Sequence, residues 1–151
     1  MPRITKPGIP LEAYNDNKSF KVFLLDVGLL GAMSKLSAES LLAGDSLFTE
    51  FKGALTEQYV CQQLLSNAEL QPYYWSAENS SGEIDFLVQE EGKTYAIEVK
   101  AAENLRAKSL SAFKTANPEI HALRFSLSGF RNQDWMRNIP LYAIGNKTLW
   151  D

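Results

Sequence analysis

Hydrophobic and polar residues follow two different periods along the middle of the chain. Between positions 45 and 66, apolar residues recur at helical spacing and predict the longest helix of the protein. Three later segments are rich in β-forming residues and predict strands: 71–77, 83–89 and 94–100. The last two are joined by a short turn ending at Gly92, so we expect them to be antiparallel neighbours.

The chain beyond these strands returns to helical spacing and then to strands. A helix is predicted over 104–117, followed by a strand over 121–128. Residues 131–138 are interpreted as a loop or short helix, and 140–145 as a last strand. The order of helix, three strands, helix and strand predicts an α/β domain built on a mixed sheet that is flanked by helices.

The beginning of the chain has a different character. Residues 1–19 are rich in proline, glycine, asparagine and charge, which predicts an extended arm or linker. A short strand is predicted over 21–26, and short helical pieces over 29–44. We therefore expect one domain over 20–151, preceded by an arm.

Composition and charge limit the class of protein. The 151 residues are 45% hydrophobic and 11% aromatic, which is enough for one buried core. The net charge of −3 provides no global positive field, so contact with DNA would need a local basic patch or bound metal ions. The single cysteine excludes a disulfide framework, and no apolar run is long enough to span a bilayer. We expect a cytoplasmic protein with no membrane partner.

Charged residues stand among apolar positions in the second and third strands, within the sequence GEIDFLVQEEGKTYAIEVK. Asp85 lies in the second strand, and Glu98 and Lys100 lie in the third. Strand alternation places Glu98 and Lys100 away from the apolar layer, and it places Asp85 with Leu87, opposite Ile84. The three charged side chains are therefore predicted to meet on one face. The simplest alternative is that this face is the solvated side of a half-exposed hairpin.

A further carboxylate, Glu57, lies on the predicted long helix. Its neighbours at helical spacing are small or apolar: Gly53, Ala54, Cys61 and Leu64. A helix-edge glutamate that reaches solvent or pairs with an arginine would explain this pattern equally well. If the side chain instead points toward the strands, three carboxylates and one lysine share a small volume.

Such a group of carboxylates favours a divalent cation. Two carboxylates about 4 Å apart repel each other by roughly 4 kcal/mol at an effective dielectric constant of about 20. Hard oxygen ligands suit Mg²⁺ or Mn²⁺, and either ion relieves this repulsion. A metal held by Glu57, Asp85 and Glu98 would support phosphodiester hydrolysis, with Lys100 beside it to orient or help deprotonate the nucleophile.

The same residues resemble a known motif. Asp85, a spacing of 12 residues and then Glu98-Val99-Lys100, with Glu57 on a preceding helix, resembles the PD-(D/E)XK nuclease superfamily, although Ile84 stands where the motif has proline. A wider resemblance covers nearly the whole chain. PGIPLEAY, FKVFLLDVGLL, GALTEQYVCQQL, YYWSAENSSGEIDFLV, YAIEVKAAENLRAKSLSAF and IPLYAIG resemble the C-terminal domain (domain of unknown function 4143) of a widespread family of predicted prokaryotic AAA-type ATPases.

This resemblance implies a restriction-endonuclease-like fold and a role for each matching residue. It assigns catalysis to Asp85, Glu98 and Lys100. The metal ligands that it implies are Asp85, Glu98, Glu57 and the carbonyl of Val99. Lys108 and Ser109, on the next helix, match positions that contact the phosphates of the substrate, although two polar residues on an exposed helix face are also explained by solvation.

The resemblance also implies partners. Residues 1–19 would be the tail of a linker from an N-terminal ATPase and winged-helix region that this chain does not contain, and DNA would be the substrate. Two functions therefore compete. One is a divalent-metal-dependent nuclease acting on DNA, and the other is a non-catalytic module that recognises nucleic acid or protein, or mediates assembly, for that ATPase. In a third interpretation, a metal-free hairpin of an unrelated domain, Asp85 and Glu98 would lie far apart.

Overall fold

The structure, a computed structural model, describes residues 1–35, 37, 39, 46–78, 82–101 and 107–151, with the backbone alone over 46–50. Eight strands lie in this part of the chain: β1 (Pro2–Ile4), β2 (Asn15–Phe20), β3 (Tyr73–Ser76), β4 (Glu83–Glu90), β5 (Lys93–Lys100), β6 (His121–Ser126), β7 (Arg131–Asn132) and β8 (Arg137–Pro140). The helices are α1 (Val27–Met33), α2 (Ser46–Ser66) and α3 (Lys108–Ala116). The strands form one sheet in the order β2-β1-β3-β4-β5-β6-β8-β7.

The predicted order of the central elements is confirmed. Helix α2 is followed by β3, β4 and β5, then by α3 and β6. Strands β4 and β5 are antiparallel, while β6 lies parallel to β5, so the sheet is mixed and the α/β class is confirmed. Of the predicted helical segments over 29–44, 45–66 and 104–117, positions 36, 38, 40–45 and 104–106 lie outside the described residues. None of the helices in the described ranges is long and apolar enough to cross a membrane.

Each face of the sheet carries a buried core. On one face, which we call the α2 face, Val60, Cys61 and Leu64 of α2 pack with Phe86, Val88, Ile97, Val99, Leu123 and Phe125. On the other, which we call the α3 face, Leu110 and Phe113 of α3 pack with Ile84, Leu87, Ala96 and Ala122. Burying each large apolar side chain contributes about 1.5–3 kcal/mol. The central strands β4, β5 and β6 are therefore the most firmly held part of the sheet.

Residues 1–19, predicted as an extended arm, instead extend the sheet. Strand β1 pairs antiparallel with β2 and parallel with β3. Ile4 and Leu11 are fully buried, and the backbone N–H of Leu11 donates to the side-chain oxygen of Gln89 at 2.8 Å. These two apolar residues allow the segment to cover a sheet edge in spite of its prolines. That residues 1–19 derive from a linker of an ATPase region stays a prediction.

Two predicted strands are wrong. Residues 21–26 are irregular and lead into α1, and the strand lies just before them, at β2. Phe23 packs on the α2-face core beside Phe86, but Val22 and Leu25 are 77% and 86% exposed, and the Leu24 backbone bonds to the Gln58 side chain instead of to a strand. At the other end, β8 stops at Pro140 and a 3₁₀ helix follows over Leu141–Ala143. The stretch that was predicted as a loop or short helix contains β7 and the start of β8.

The predicted turn between β4 and β5 has the backbone of a two-residue hairpin. Glu91 has φ of 47° and Gly92 has φ of 77°, the left-handed pair that fits the twist of a hairpin. Gly92→Ala is expected to lower the free energy of unfolding by about 1 kcal/mol, because a Cβ is disfavoured at this φ. Gly129→Ala is the control, since Gly129 has an ordinary φ and open space around it. Equal losses in urea denaturation would contradict the prediction.

Candidate metal centre

The predicted site residues lie at the end of the sheet where β4 begins and β5 ends. Phe86 pairs with Ile97 in the β4–β5 ladder. Asp85 precedes Phe86 in β4 and Glu98 follows Ile97 in β5, so both residues lie at this end of the strand pair. The topology therefore brings the two predicted catalytic carboxylates to the same end of two adjacent strands.

A bulge in β4 lies next to Asp85. Tyr73 of β3 pairs with Leu87, but Trp75 pairs with Ile84, so the register between β3 and β4 shifts by one residue. As a result, Ile84 packs on the α3 face together with Leu87. The predicted alternation, which put these two residues on opposite faces, is wrong because a bulge interrupts the period of two. Bulges re-aim side chains, and Asp85 is the residue inside the shifted segment.

The Asp85 carboxylate is anchored to β5. Its Oδ2 accepts a hydrogen bond of 2.7 Å from the backbone N–H of Val99. Burial raises the pKa of Asp85 to about 6, the hydrogen bond from Val99 opposes this rise, and the charge of Glu57 adds to it. Lys21 lowers the pKa and Glu98 raises it further. Asp85 therefore feels the charges of both other predicted metal-binding carboxylates.

Glu98 and Lys100 form an ion pair. Lys100 Nζ lies 2.7 Å from Glu98 Oε1, and the side chains are 33% and 10% exposed. The second oxygen, Glu98 Oε2, is buried and has no hydrogen-bond partner in the described structure. A buried carboxylate oxygen without a partner is costly, so this atom is available to a cation.

Glu57, Lys21 and Glu83 also contribute charge to this site, and sequence reasoning missed the last two. Burial raises the pKa of Glu57, Lys21 lowers it, Glu83 raises it and Lys100 lowers it. Lys21 forms an ion pair with Glu83. Glu83 lies two residues before Asp85 in the predicted strand, and this spacing could have indicated that Glu83 belongs to the site. For Lys21 there was none, because only the tertiary fold brings the segment after β2 to this end of the sheet.

A buried polar network behind Glu98 was also missed. Arg124 pairs with Glu98 in the parallel β5–β6 ladder and has no exposed surface. Its Nε donates to Asn138 Oδ1 at 2.8 Å, and the Ser126 hydroxyl donates to the same oxygen at 2.8 Å. Asn138 Nδ2 donates in turn to the carbonyl of Gly129 at 2.9 Å. The alternating polar residues in HALRFS were the signal that could have indicated it.

Lys108 and Ser109 begin α3. Lys108 is exposed and Ser109 is half-buried. Both line a groove of about 390 Å³ on the α3 face, together with Trp75, Phe113 and Gly82, which immediately precedes β4. The two predicted substrate contacts therefore lie at the same end of the sheet as the start of β4.

The predicted metal ligands do not form a cluster of three carboxylates. In the described ranges, no three Asp, Glu, His or Cys side chains lie close enough together to hold a metal ion. A smaller oxygen set is present: Asp85 Oδ1, the unpartnered Glu98 Oε2 and the carbonyl of Val99, which points to the same side as the N–H that binds Asp85. Mg²⁺ and Mn²⁺ take one or two carboxylates together with water and substrate oxygens. Two carboxylates and a carbonyl at one end of the strand pair have the donor chemistry that such an ion takes.

The raised pKa of Asp85 predicts a gain in stability on neutralising it. The folded state binds this proton more tightly than the unfolded state, so the group favours folding below about pH 4, and this contribution is lost as the pH rises through about 6. Asp85→Asn keeps the acceptor for the Val99 N–H. It is expected to raise the free energy of unfolding by about 2 kcal/mol at pH 7.5 and very little at pH 4, in urea denaturation without metal.

Asp16→Asn is the matched control for that experiment. The Asp16 carboxylate also accepts a backbone hydrogen bond, from Lys18, and it pairs with Arg3 at 3.0 Å. The Lys18 N–H and Arg3 lower the pKa of Asp16, so neutralising it is expected to destabilise the protein at neutral pH. A loss of stability in both variants at pH 7.5 would contradict the electrostatic explanation for Asp85.

Comparison with known proteins identifies the family. The family model described as a domain of unknown function (DUF4143) matches residues 52–143, which is more than half of the chain and includes most of α2 and the strands of the candidate metal centre. Neither the search of curated proteins nor the search of solved structures gave a match. The resemblance to this domain is thus confirmed, whereas the link to an ATPase and to the PD-(D/E)XK superfamily stays a prediction. The chain belongs to the DUF4143 family.

Proposed function

We propose that this chain is a divalent-metal-dependent nuclease domain that acts on DNA. The observation that carries the proposal is the anchoring of Asp85 to the Val99 N–H at 2.7 Å, next in the chain to Glu98, one oxygen of which is buried and has no partner in the described structure. Two carboxylates and a backbone carbonyl at the same end of the β4–β5 pair suit Mg²⁺ or Mn²⁺ and leave coordination positions for water and phosphate.

The residues have distinct roles in this proposal. Asp85 and Glu98 hold the ion, which when bound supplies Lewis acidity and an acidified water. Lys100 is kept beside Glu98 by their ion pair, where its ammonium group orients the nucleophile and offsets charge on the phosphate. Glu57 contributes through water, and Lys108 with Ser109 would receive a phosphate of the DNA on the α3 face.

The proposal also specifies the type of fold, the larger protein to which the domain belongs and its location in the cell. The order of α2, β3, β4, β5, α3 and β6 supports a restriction-endonuclease-like core within the mixed sheet. The family supports a role as the C-terminal portion of an AAA-type ATPase. The free thiol of the buried Cys61 supports a reducing, cytoplasmic location.

One observation favours a second candidate function, a non-catalytic recognition or assembly module of that ATPase. Glu98 is already balanced by Lys100 at 2.7 Å and faces the buried cation Arg124 across the parallel ladder. A carboxylate that has two cations close by needs no metal to be stable. In this alternative, Glu98, Lys100 and Arg124 serve to stabilise the end of the sheet.

Titration of the protein with Mn²⁺ by isothermal calorimetry distinguishes the two functions. The nuclease proposal expects saturable binding in the parent and at least a tenfold weaker affinity in Asp85→Asn, because the variant loses an anionic ligand. Glu119→Gln is the control, since Glu119 is exposed on the turn before β6. Absence of binding in the parent, or equal binding in Asp85→Asn, would favour the non-catalytic module.

A further inference from the structure

A second pocket lies at the opposite end of the sheet from the candidate metal centre. It has a volume of about 410 Å³ and is lined by Lys93, His121 and Arg137, the first residues of β5, β6 and β8. A strand rises about 3.3 Å per residue, so roughly 23 Å separates Lys93 from Lys100 at the other end of β5. The two sites therefore do not share residues.

Three basic side chains line the pocket together with two carboxylates, Asp134 and Asp151, in a chain whose net charge is −3. Lys93, Lys114 and Arg137 line it together with His121. The Lys114 ammonium is held in place by two backbone carbonyls at 2.6 and 2.7 Å. Burial lowers the pKa of His121, Lys93 lowers it further, Asp151 raises it, and Lys114 and Arg137 lower it. The three cations thus line one pocket together with a single imidazole.

One carboxylate oxygen of Asp151, which lines the pocket, already has two donors. Asp151 Oδ1 accepts a hydrogen bond from the Tyr95 hydroxyl at 2.8 Å and pairs with Lys93 Nζ at 2.8 Å. Trp150 also lines the pocket, and its buried Nε1 has no hydrogen-bond partner in the described structure. Trp135 at the rim is 37% exposed and offers an aromatic surface.

We propose that this pocket binds a phosphorylated ligand of mononucleotide size. The phosphate contacts Lys93, Lys114 and Arg137 as the Asp151 carboxylate withdraws, and the base stacks on Trp135. A guanidinium matches two phosphate oxygens at once, and an aromatic side chain accepts any base on its face. The volume lies within the range of small-molecule sites. This site goes beyond the proposed nuclease function, because it requires neither the metal nor the residues that would hold it.

Titration with deoxyadenosine 5′-monophosphate in the presence of EDTA tests the proposal, with the nucleoside deoxyadenosine as the ligand that lacks a phosphate. We expect saturable binding of the monophosphate and at least tenfold weaker binding of the nucleoside. Arg137→Gln should weaken the monophosphate affinity about tenfold. Asp151→Asn should strengthen it, an outcome that a folding defect cannot produce.

Arg131→Gln is the matched control, because Arg131 is an exposed arginine on the adjoining strand β7. Equal binding of nucleotide and nucleoside, or an unchanged affinity in Arg137→Gln, would overturn the proposal. Loss of binding in Asp85→Asn rather than in Arg137→Gln would overturn it as well, because the nucleotide would then occupy the candidate metal centre.

Discussion

Replacing Lys100 with methionine is expected to reduce Mn²⁺-dependent cleavage of DNA about 10³-fold while Mn²⁺ binding is retained. The ammonium group is the part of the site that orients the nucleophile and offsets charge on the phosphate, and such groups contribute about 10²–10⁴ in rate. The metal-holding oxygens of Asp85 and Glu98 stay in place. Removing a cation 2.7 Å from Glu98 leaves this carboxylate more available to the ion.

Lys147→Met is the matched control for this variant. Lys147 is 35% exposed against 33% for Lys100, and it also forms an ion pair with a strand carboxylate, Glu90. Glu90 lies at the opposite end of β4, so the control repeats the loss of a half-buried lysine without touching the candidate metal centre. The measurement is the rate of cleavage of labelled single- and double-stranded DNA at saturating Mn²⁺. Equal rates in the two variants, or a parent that does not cleave, would contradict the nuclease proposal.

The central elements were predictable because each has a strong local period. Apolar residues recur at helical or strand spacing over most of the length of α2, β3, β4 and β5. The segment over 21–26 is just as apolar, yet it does not form a strand. A strand needs a neighbour with free backbone groups, and the edge of this sheet is occupied by β1 and β2 instead. Sequence periodicity carries no information about which edge is free.

The candidate site was predictable in part for a similar reason. Asp85, Glu98 and Lys100 lie close together because β4 and β5 form a hairpin, and a hairpin is local in sequence. The bulge at Asp85 was not predictable, since it arises from the pairing with β3. Lys21 reaches the site from a segment about sixty residues earlier in the chain than Asp85, and only the tertiary fold brings it there.

The buried Arg124 links the stability of the fold to the chemistry of the candidate metal centre. Arg124 has no exposed surface, and it is opposite Glu98 in the register of β5 and β6. Glu98 raises the pKa of Arg124 against the effect of burial, which lowers it. The attraction between the two charges therefore offsets part of the cost of burying the guanidinium.

Arg124→Met is accordingly expected to lower the free energy of unfolding by about 3–5 kcal/mol, because it leaves the Glu98 carboxylate buried with one cation fewer. In the double variant with Glu98→Gln, the loss should be smaller than the sum of the two single losses, since the uncompensated charge is gone. Arg131→Met, an exposed arginine on β7, should change stability by less than about 0.5 kcal/mol.

Urea denaturation of the parent, the three single variants and the double variant at pH 7.5 measures this coupling. A coupling between Arg124 and Glu98 well above 0.5 kcal/mol would show that the two charges stabilise each other through the β5–β6 ladder. Strictly additive losses would mean that Arg124 stabilises the fold through contacts other than Glu98, among them its hydrogen bond to Asn138. In that case Glu98 would depend on Lys100 for its counter-charge, and the Lys100→Met variant would become the more destabilised of the two.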